Sequence, residues 1–106
     1  MTPAEALELV KSGKAVLVDV REENELQESG YAQGALWMPT SEISEDTPKW
    51  QEFKAKLPKD KPVILYCRSG NRSGRLAEFL AQDGYETVNL GGFCEWKAAQ
   101  LPIQKL

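Results

Sequence analysis

Two short segments limit the folds open to this chain: A-V-L-V-D-V at 15–20 and P-V-I-L-Y-C at 62–67. Each is almost wholly apolar and rich in β-branched residues. A strand with one wet face alternates apolar and polar residues, and these do not. They read as strands buried on both faces, the habit of parallel sheets covered by helices.

The intervening segments supply the helices. T-P-A-E at 2–5 is a capping box with proline in the first turn, predicting a helix over 3–12 that stops at Gly13. E-E-N-E-L-Q-E at 22–28 reads as a short solvated helix. W-Q-E-F-K-A-K-L at 50–57 is amphipathic, with Trp50, Phe53 and Leu57 on one side. The strongest helix pattern is 75–83, where Leu76, Phe79 and Leu80 share a face and Gly84 closes the run. G-A-L-W-M-P holds a short strand ended by Pro39, T-S-E-I-S-E-D-T-P at 40–48 a polar loop, and Pro58 and Pro62 bracket a turn. T-V-N-L at 87–90 is expected as a third buried strand, and G-G-F-C-E-W begins a last helix. Strands alternating with helices, without repeats or an internal linker, predict one α/β domain spanning 1–106.

Composition excludes several functions. The 13 Lys+Arg against 16 Asp+Glu, net charge −3, give no general electrostatic case for nucleic acid. No stretch approaches the length of a membrane span. The N-terminus lacks a signal-peptide pattern, so a soluble, cytoplasmic protein is expected. The two cysteines, Cys67 and Cys94, are too few for a disulfide framework or a four-thiolate zinc site. There is no histidine, which removes Cys-His and Ser-His-Asp catalysis. Nothing suggests a metal or an organic cofactor.

The chemistry concentrates where the second run ends. C-R-S-G-N-R follows the strand and precedes a helix, and open α/β sheets bind ligands beyond the carboxyl ends of their strands. Gly70 lets the backbone curl into a nest of N–H groups. The helix N-terminus and the cations Arg68, Arg72 and Arg75 add positive potential. Helix N-termini and nearby arginines lower the pKa of a cysteine, so a thiol there is expected to ionise readily. The bland alternative, an inert buried cysteine, leaves the basic, glycine-containing loop unexplained. Arg75, inside the helix, reads as solvated.

At this loop the chain resembles the single-domain rhodaneses, sulfurtransferases of the thiosulfate:cyanide type. Four stretches carry the likeness: D-V-R-E at 19–22, G-Y-A-Q-G-A-L-W-M-P at 30–39, Y-C-R-S-G-N-R-S at 66–73 and L-G-G-F-C-E-W at 90–96. The resemblance implies a rhodanese-like fold, with a central, mainly parallel sheet of about five strands and helices on both faces. It implies that Cys67 is the catalytic nucleophile. The Cys67 thiolate takes the outer sulfur of a small anionic donor such as thiosulfate, sulfite leaves, and a thiophilic acceptor (cyanide, a thiol or a sulfur-carrier protein) removes the sulfur. The resemblance further implies that Arg68, Ser69, Gly70, Asn71 and Arg72 form the loop that binds substrate and persulfide, with Arg68 and Arg72 expected to attract substrate or order the loop.

The sequence departs from the family at Tyr31, Ala32 and Gln33, where the family reads H-I-P. Cys94 is also unusual at its position. It reads either as a resolving thiol or, preferred, as a small residue at a helix start. Asp19 is expected to pair with a loop arginine and support the loop. Glu22 reads as a turn and surface-helix residue, and Arg21 is left open. Trp50 and Trp96 are expected to pack helices, with Trp37 near the pocket. Two rival functions stand beside this one. Cysteine phosphatases and arsenate reductases use a related loop, but the phosphatase signature C-x5-R needs arginine where Ser73 stands. Rhodanese-like binding or regulatory modules often lack the cysteine that this chain retains.

Overall fold

The computed structural model describes residues 1–43 and 47–105. Ser44, Glu45 and Asp46, which fall in the expected polar loop, lie outside the described residues.

Among these residues the main sheet has four parallel strands in the order β3-β1-β4-β5: β3 is Leu36–Trp37, β1 Val16–Asp19, β4 Val63–Cys67 and β5 Thr87–Gly92. The expectation of about five strands is corrected. The further pair, β2 (Tyr31–Ala32) and β6 (Ile103–Gln104), forms a separate antiparallel ladder. T-V-N-L is not a buried strand either. β5 pairs only with β4, lies at the sheet edge and leaves Asn89 exposed.

The two central strands are buried on both faces, as their lack of alternation predicts. From β4, Val63, Leu65 and Cys67 join one core cluster, while Ile64 and Tyr66 join the other. The first cluster is closed by α3 (Pro48–Lys56) through Trp50, and by α4 (Asn71–Gln82) through Leu76, Ala77 and Leu80. The second is closed by α1 (Pro3–Lys11) through Ala6, and by α5 (Phe93–Ala98) through Phe93 and Trp96. Helices therefore cover both faces. Trp50 and Trp96 are helix-packing residues, as expected. The capping box on α1 is formed, with Thr2 and Glu5 bonding each other's backbone N–H.

α4 begins at Asn71, earlier than the expected 75. Its N-cap is Gly70 at φ +94°, a left-handed conformation that favours glycine. The helix then runs straight through Gly74, ahead of the expected start. Its buried stripe is Ser73, Leu76, Ala77 and Leu80. Phe79 falls off that stripe and is 40% exposed, against the expectation that it shares the core face. α2 (Glu23–Ser29) follows β1 and buries Leu26. No described helix is long and apolar enough to cross a membrane.

Candidate active site

Cys67 is the last residue of β4, and its sulfur sits under the turn that starts α4. The backbone N–H of Gly70 donates to Sγ at 2.9 Å, and the Ser73 hydroxyl lies 3.4 Å from it. Burial pushes the thiol pKa up. The Ser73 hydroxyl and the N–H groups of Ser73, Ser69 and Gly70 outweigh that, and the thiol ionises below its usual value. The local backbone thus supplies what histidine would supply elsewhere.

The turn is held from the neighbouring strand. Cys67 stands opposite Gly92 across β4 and β5. A Cβ on Gly92 would lie 2.5 Å from the carbonyl oxygen of Arg68, so only glycine lets the loop settle against β5. Asn89, in sequence only a residue of the T-V-N-L strand, reaches into the same turn. Its Nδ2 donates to the Gly70 carbonyl at 3.0 Å, and its Oδ1 accepts from the Gly91 N–H at 3.2 Å and from the Ser73 hydroxyl at 2.7 Å.

The two loop arginines separate in role. Arg72 makes a bidentate pair with Glu25 of α2, at 2.8 and 3.0 Å. That pair ties the first turn of α4 to α2 and holds the Glu25 carboxyl below its usual range. Glu25 is therefore more than part of a solvated acidic face. Arg68 is exposed and has no ion pair among the described residues, as do Ser69 and Asn71 in exposure. Arg75 is exposed, as read from sequence.

Asp19 does not pair with a loop arginine, which corrects that expectation. It is fully buried, and its partner is Arg21, itself 3% exposed, at 2.8 Å. The Tyr66 hydroxyl donates to Asp19 Oδ2 at 2.6 Å and accepts from the Ala32 N–H at 3.0 Å. Burial and the Asp19 carboxylate push the Tyr66 phenol well above its ordinary pKa. Arg21 continues to the Ser29 hydroxyl at 2.9 Å and the Gly30 carbonyl at 2.6 Å, with its guanidinium 4.1 Å from the Phe93 ring centre. The D-V-R segment is thus a buried junction between β1, β4, the end of α2 and α5. Asp19 and Arg21, two positions apart, satisfy each other because the intervening Val20 faces the opposite core. Glu22 takes the N-cap of α2 and accepts from the Ser41 N–H and hydroxyl, at 3.1 and 2.6 Å. Trp37 donates to the Arg21 carbonyl at 2.8 Å and borders neither of the two clefts described next.

One cleft, of about 500 Å³, is bordered by Arg21, Glu25, Ser29, Arg68, Phe93 and the exposed Cys94. The other, of about 390 Å³, is bordered by Thr40, Ile43, Trp50, Arg72, Arg75 and Phe79. Cys67 borders neither and is fully buried. Among the described residues no cluster of side chains is suited to hold a metal ion.

Comparison with known proteins agrees with this architecture. The family model described as the rhodanese-like domain matches residues 2–99. Thiosulfate sulfurtransferase GlpE of Coxiella burnetii is 36% identical over 96 residues, covering 89% of this chain and 82% of the relative. The protein of the same name from Actinobacillus succinogenes is 35% identical over 106 residues, covering 98% of this chain and 88% of the relative. The crystal structure of a rhodanese-related protein from Thermoplasma volcanium superposes with a TM-score of 0.78 at 31% identity, covering 98% of this chain and 95% of that one. The sheet, the thiol at its carboxyl edge and these likenesses agree: the chain belongs to the rhodanese-like domain family.

Proposed function

We propose that the protein is a sulfurtransferase that carries sulfane sulfur on Cys67. The observation that carries the reading is the cradle around this thiol, with the Gly70 N–H at 2.9 Å and the Ser73 hydroxyl at 3.4 Å from Sγ. In the forward step the Cys67 thiolate attacks the outer sulfur of thiosulfate. A sulfur–sulfur bond forms to Cys67, the bond to the sulfite sulfur breaks, and sulfite departs with its electron pair. In the second step an acceptor such as cyanide or a thiolate attacks the terminal sulfur, and the Cys67 thiolate leaves. This is covalent catalysis in which the same donors stabilise the thiolate as nucleophile and as leaving group. No general base is needed once the thiol is ionised. Because Cys67 is buried, a local opening around the thiol accompanies donor entry. Arg68, exposed and cationic, is the residue suited to draw in a small anion. Arg72 has a structural partner and is assigned to ordering the loop.

The phosphatase reading draws no support here, because Ser73 stands where the C-x5-R signature needs arginine and the neighbouring Arg72 is forked onto Glu25. The test is intact-protein mass after thiosulfate and again after cyanide. A gain of about 32 Da on Cys67, removed by cyanide and absent from a folded Cys67→Ser variant, is expected. An unlabelled Cys67 with thiosulfate and with persulfide donors would overturn the proposal.

A further inference from the structure

The Ser73 hydroxyl has one proton and three acceptors within reach. Cys67 Sγ and the Gly70 carbonyl each lie 3.4 Å from the oxygen, and Asn89 Oδ1, much the nearest, lies 2.7 Å from it. The Asn89 amide cannot turn over to relieve the competition. Its Nδ2 faces the Gly70 carbonyl at 3.0 Å and its Oδ1 faces the Gly91 N–H at 3.2 Å, so a flip would set acceptor against acceptor and donor against donor. The atom beside Ser73 is therefore an acceptor. At 2.7 Å it takes the Ser73 proton, and a hydroxyl lone pair is left facing the sulfur. That arrangement suits a neutral thiol, whose S–H can donate to it. It does not suit a thiolate.

The surroundings look built for this contact. Asn89 sits at the irregularity in β5, where register passes from Leu65–Asn89 to Tyr66–Gly91. Two glycines of the loop and helix face it. A Cβ on Gly74 would stand 3.0 Å from Asn89 Nδ2, and one on Gly70 would stand 3.8 Å away. The Gly70 carbonyl is also held by the Gly74 N–H at 3.0 Å, so the turn does not depend on Asn89 alone.

We propose that Asn89 is a positioning residue that holds the Ser73 proton while Cys67 is a neutral thiol and yields it when the sulfur carries negative charge, as thiolate or persulfide. A charge-assisted bond to sulfur outweighs a neutral bond to an amide, and the Gly91 N–H keeps Asn89 Oδ1 satisfied after the hydroxyl turns. The cradle then supplies its side-chain donor only in the charged states through which sulfur transfer passes. Asn89 sets how much free energy that turn requires. This inference rests on Cys67 being the reacting thiol of the proposed sulfurtransferase.

The other charged groups around the sulfur stay unchanged in the test: Arg68 in the loop, Arg72 of α4 with its partner Glu25 of α2, Glu95 of α5 beside Gly91, and the Asp19–Arg21 pair beyond Tyr66. The experiment titrates the Cys67 thiolate by its ultraviolet absorbance in a Cys94→Ser background, as a difference from the same protein with Cys67→Ser. Asn89→Ala should lower the midpoint by roughly half a pH unit, since the thiolate no longer competes for the proton. Asn89→Asp, a stronger acceptor, should raise it. In a Ser73→Ala background the Asn89→Ala shift should vanish, and only the through-space charge of aspartate should remain. Shifts in the same direction for alanine and aspartate, or an alanine shift that survives without Ser73, would overturn the proposal by marking Asn89 as scaffold. Failure of the sulfurtransferase reading is separately visible, because these midpoints would respond while thiosulfate left no sulfur on Cys67.

Discussion

Glu25→Gln tests whether the forked pair with Arg72 holds the loop. Glutamine keeps the shape and one acceptor but removes the charge and the second acceptor. The pair is only partly covered, with side-chain exposures of 31% for Arg72 and 18% for Glu25. A solvent-exposed pair contributes about 0.2–1 kcal/mol, and breaking a buried one costs about 3–5 kcal/mol. Bidentate geometry at 2.8 and 3.0 Å with partial burial falls between, so a loss of about 1.5 kcal/mol is expected. At roughly 4–8 °C per kcal/mol for a domain near this size, the melting temperature should drop by about 6–12 °C. The pH dependence gives an independent check. The hydrogen bonds from Arg72 lower the Glu25 pKa in the folded protein from its ordinary value of 4.5. A depressed carboxyl contributes its stability above the unfolded pKa and loses it as pH falls through the folded value. Urea unfolding should therefore show the full gap between wild type and variant at neutral pH, closing on acidification below about 4.5. Arg72→Lys, which retains charge but not the fork, should lose a similar amount at neutral pH. Equal urea midpoints at neutral pH, or a gap that persists unchanged in acid, would refute the reasoning.

Three further substitutions probe separate parts of the site. Gly92→Ala places a methyl 2.5 Å from the Arg68 carbonyl and should destabilise by about 1–3 kcal/mol while slowing persulfide formation, read by urea unfolding and stopped-time mass spectrometry. Asp19→Asn leaves the buried Arg21 charge without its counter-ion and should lower stability by about 3–5 kcal/mol; a loss under 1 kcal/mol would show that the pair is not the junction described. Arg68→Ala, at an exposed position, should leave stability within about 0.5 kcal/mol but raise KM for thiosulfate and flatten its dependence on ionic strength. An unchanged KM would remove Arg68 from donor capture.

The central fold was legible because both faces of β1 and β4 are apolar, and a two-faced apolar strand has few solutions other than a covered parallel sheet. Strand number was not. β2 and β6 are two-residue ladders whose pairing, Tyr31 with Gln104 and Ala32 with Ile103, joins segments far apart in sequence. No local period encodes such a pairing. The start of α4 lies four residues before the expected one, because the apolar period begins only at Leu76. Gly74 lies within the helix as a close-approach position facing Asn89, a placement visible only once β5 is beside the helix.

The position of Cys67 was legible from the strand, the loop and the cations together, but the assignment of those cations was not. Three positive side chains near a thiol suggest a common electrostatic task, and charge alone cannot say which of them already has a partner. Here Arg72 is taken by Glu25, from a helix that sequence reading treated as solvated, while Arg68 faces water. In the same way Asp19 was sent to the loop, although Arg21, two residues away, could reach it. The nearer partner prevails because both groups are buried, where an unshared charge is costly, and because the extended strand puts residues two apart on one face. The donors around sulfur then follow from backbone geometry, not from side-chain charge. Gly70 turns its N–H to Sγ, Gly92 admits the Arg68 carbonyl, and Asn89 fixes the Ser73 hydroxyl. A chain without histidine can thus activate a thiol through peptide groups whose placement depends on which residues lack a Cβ.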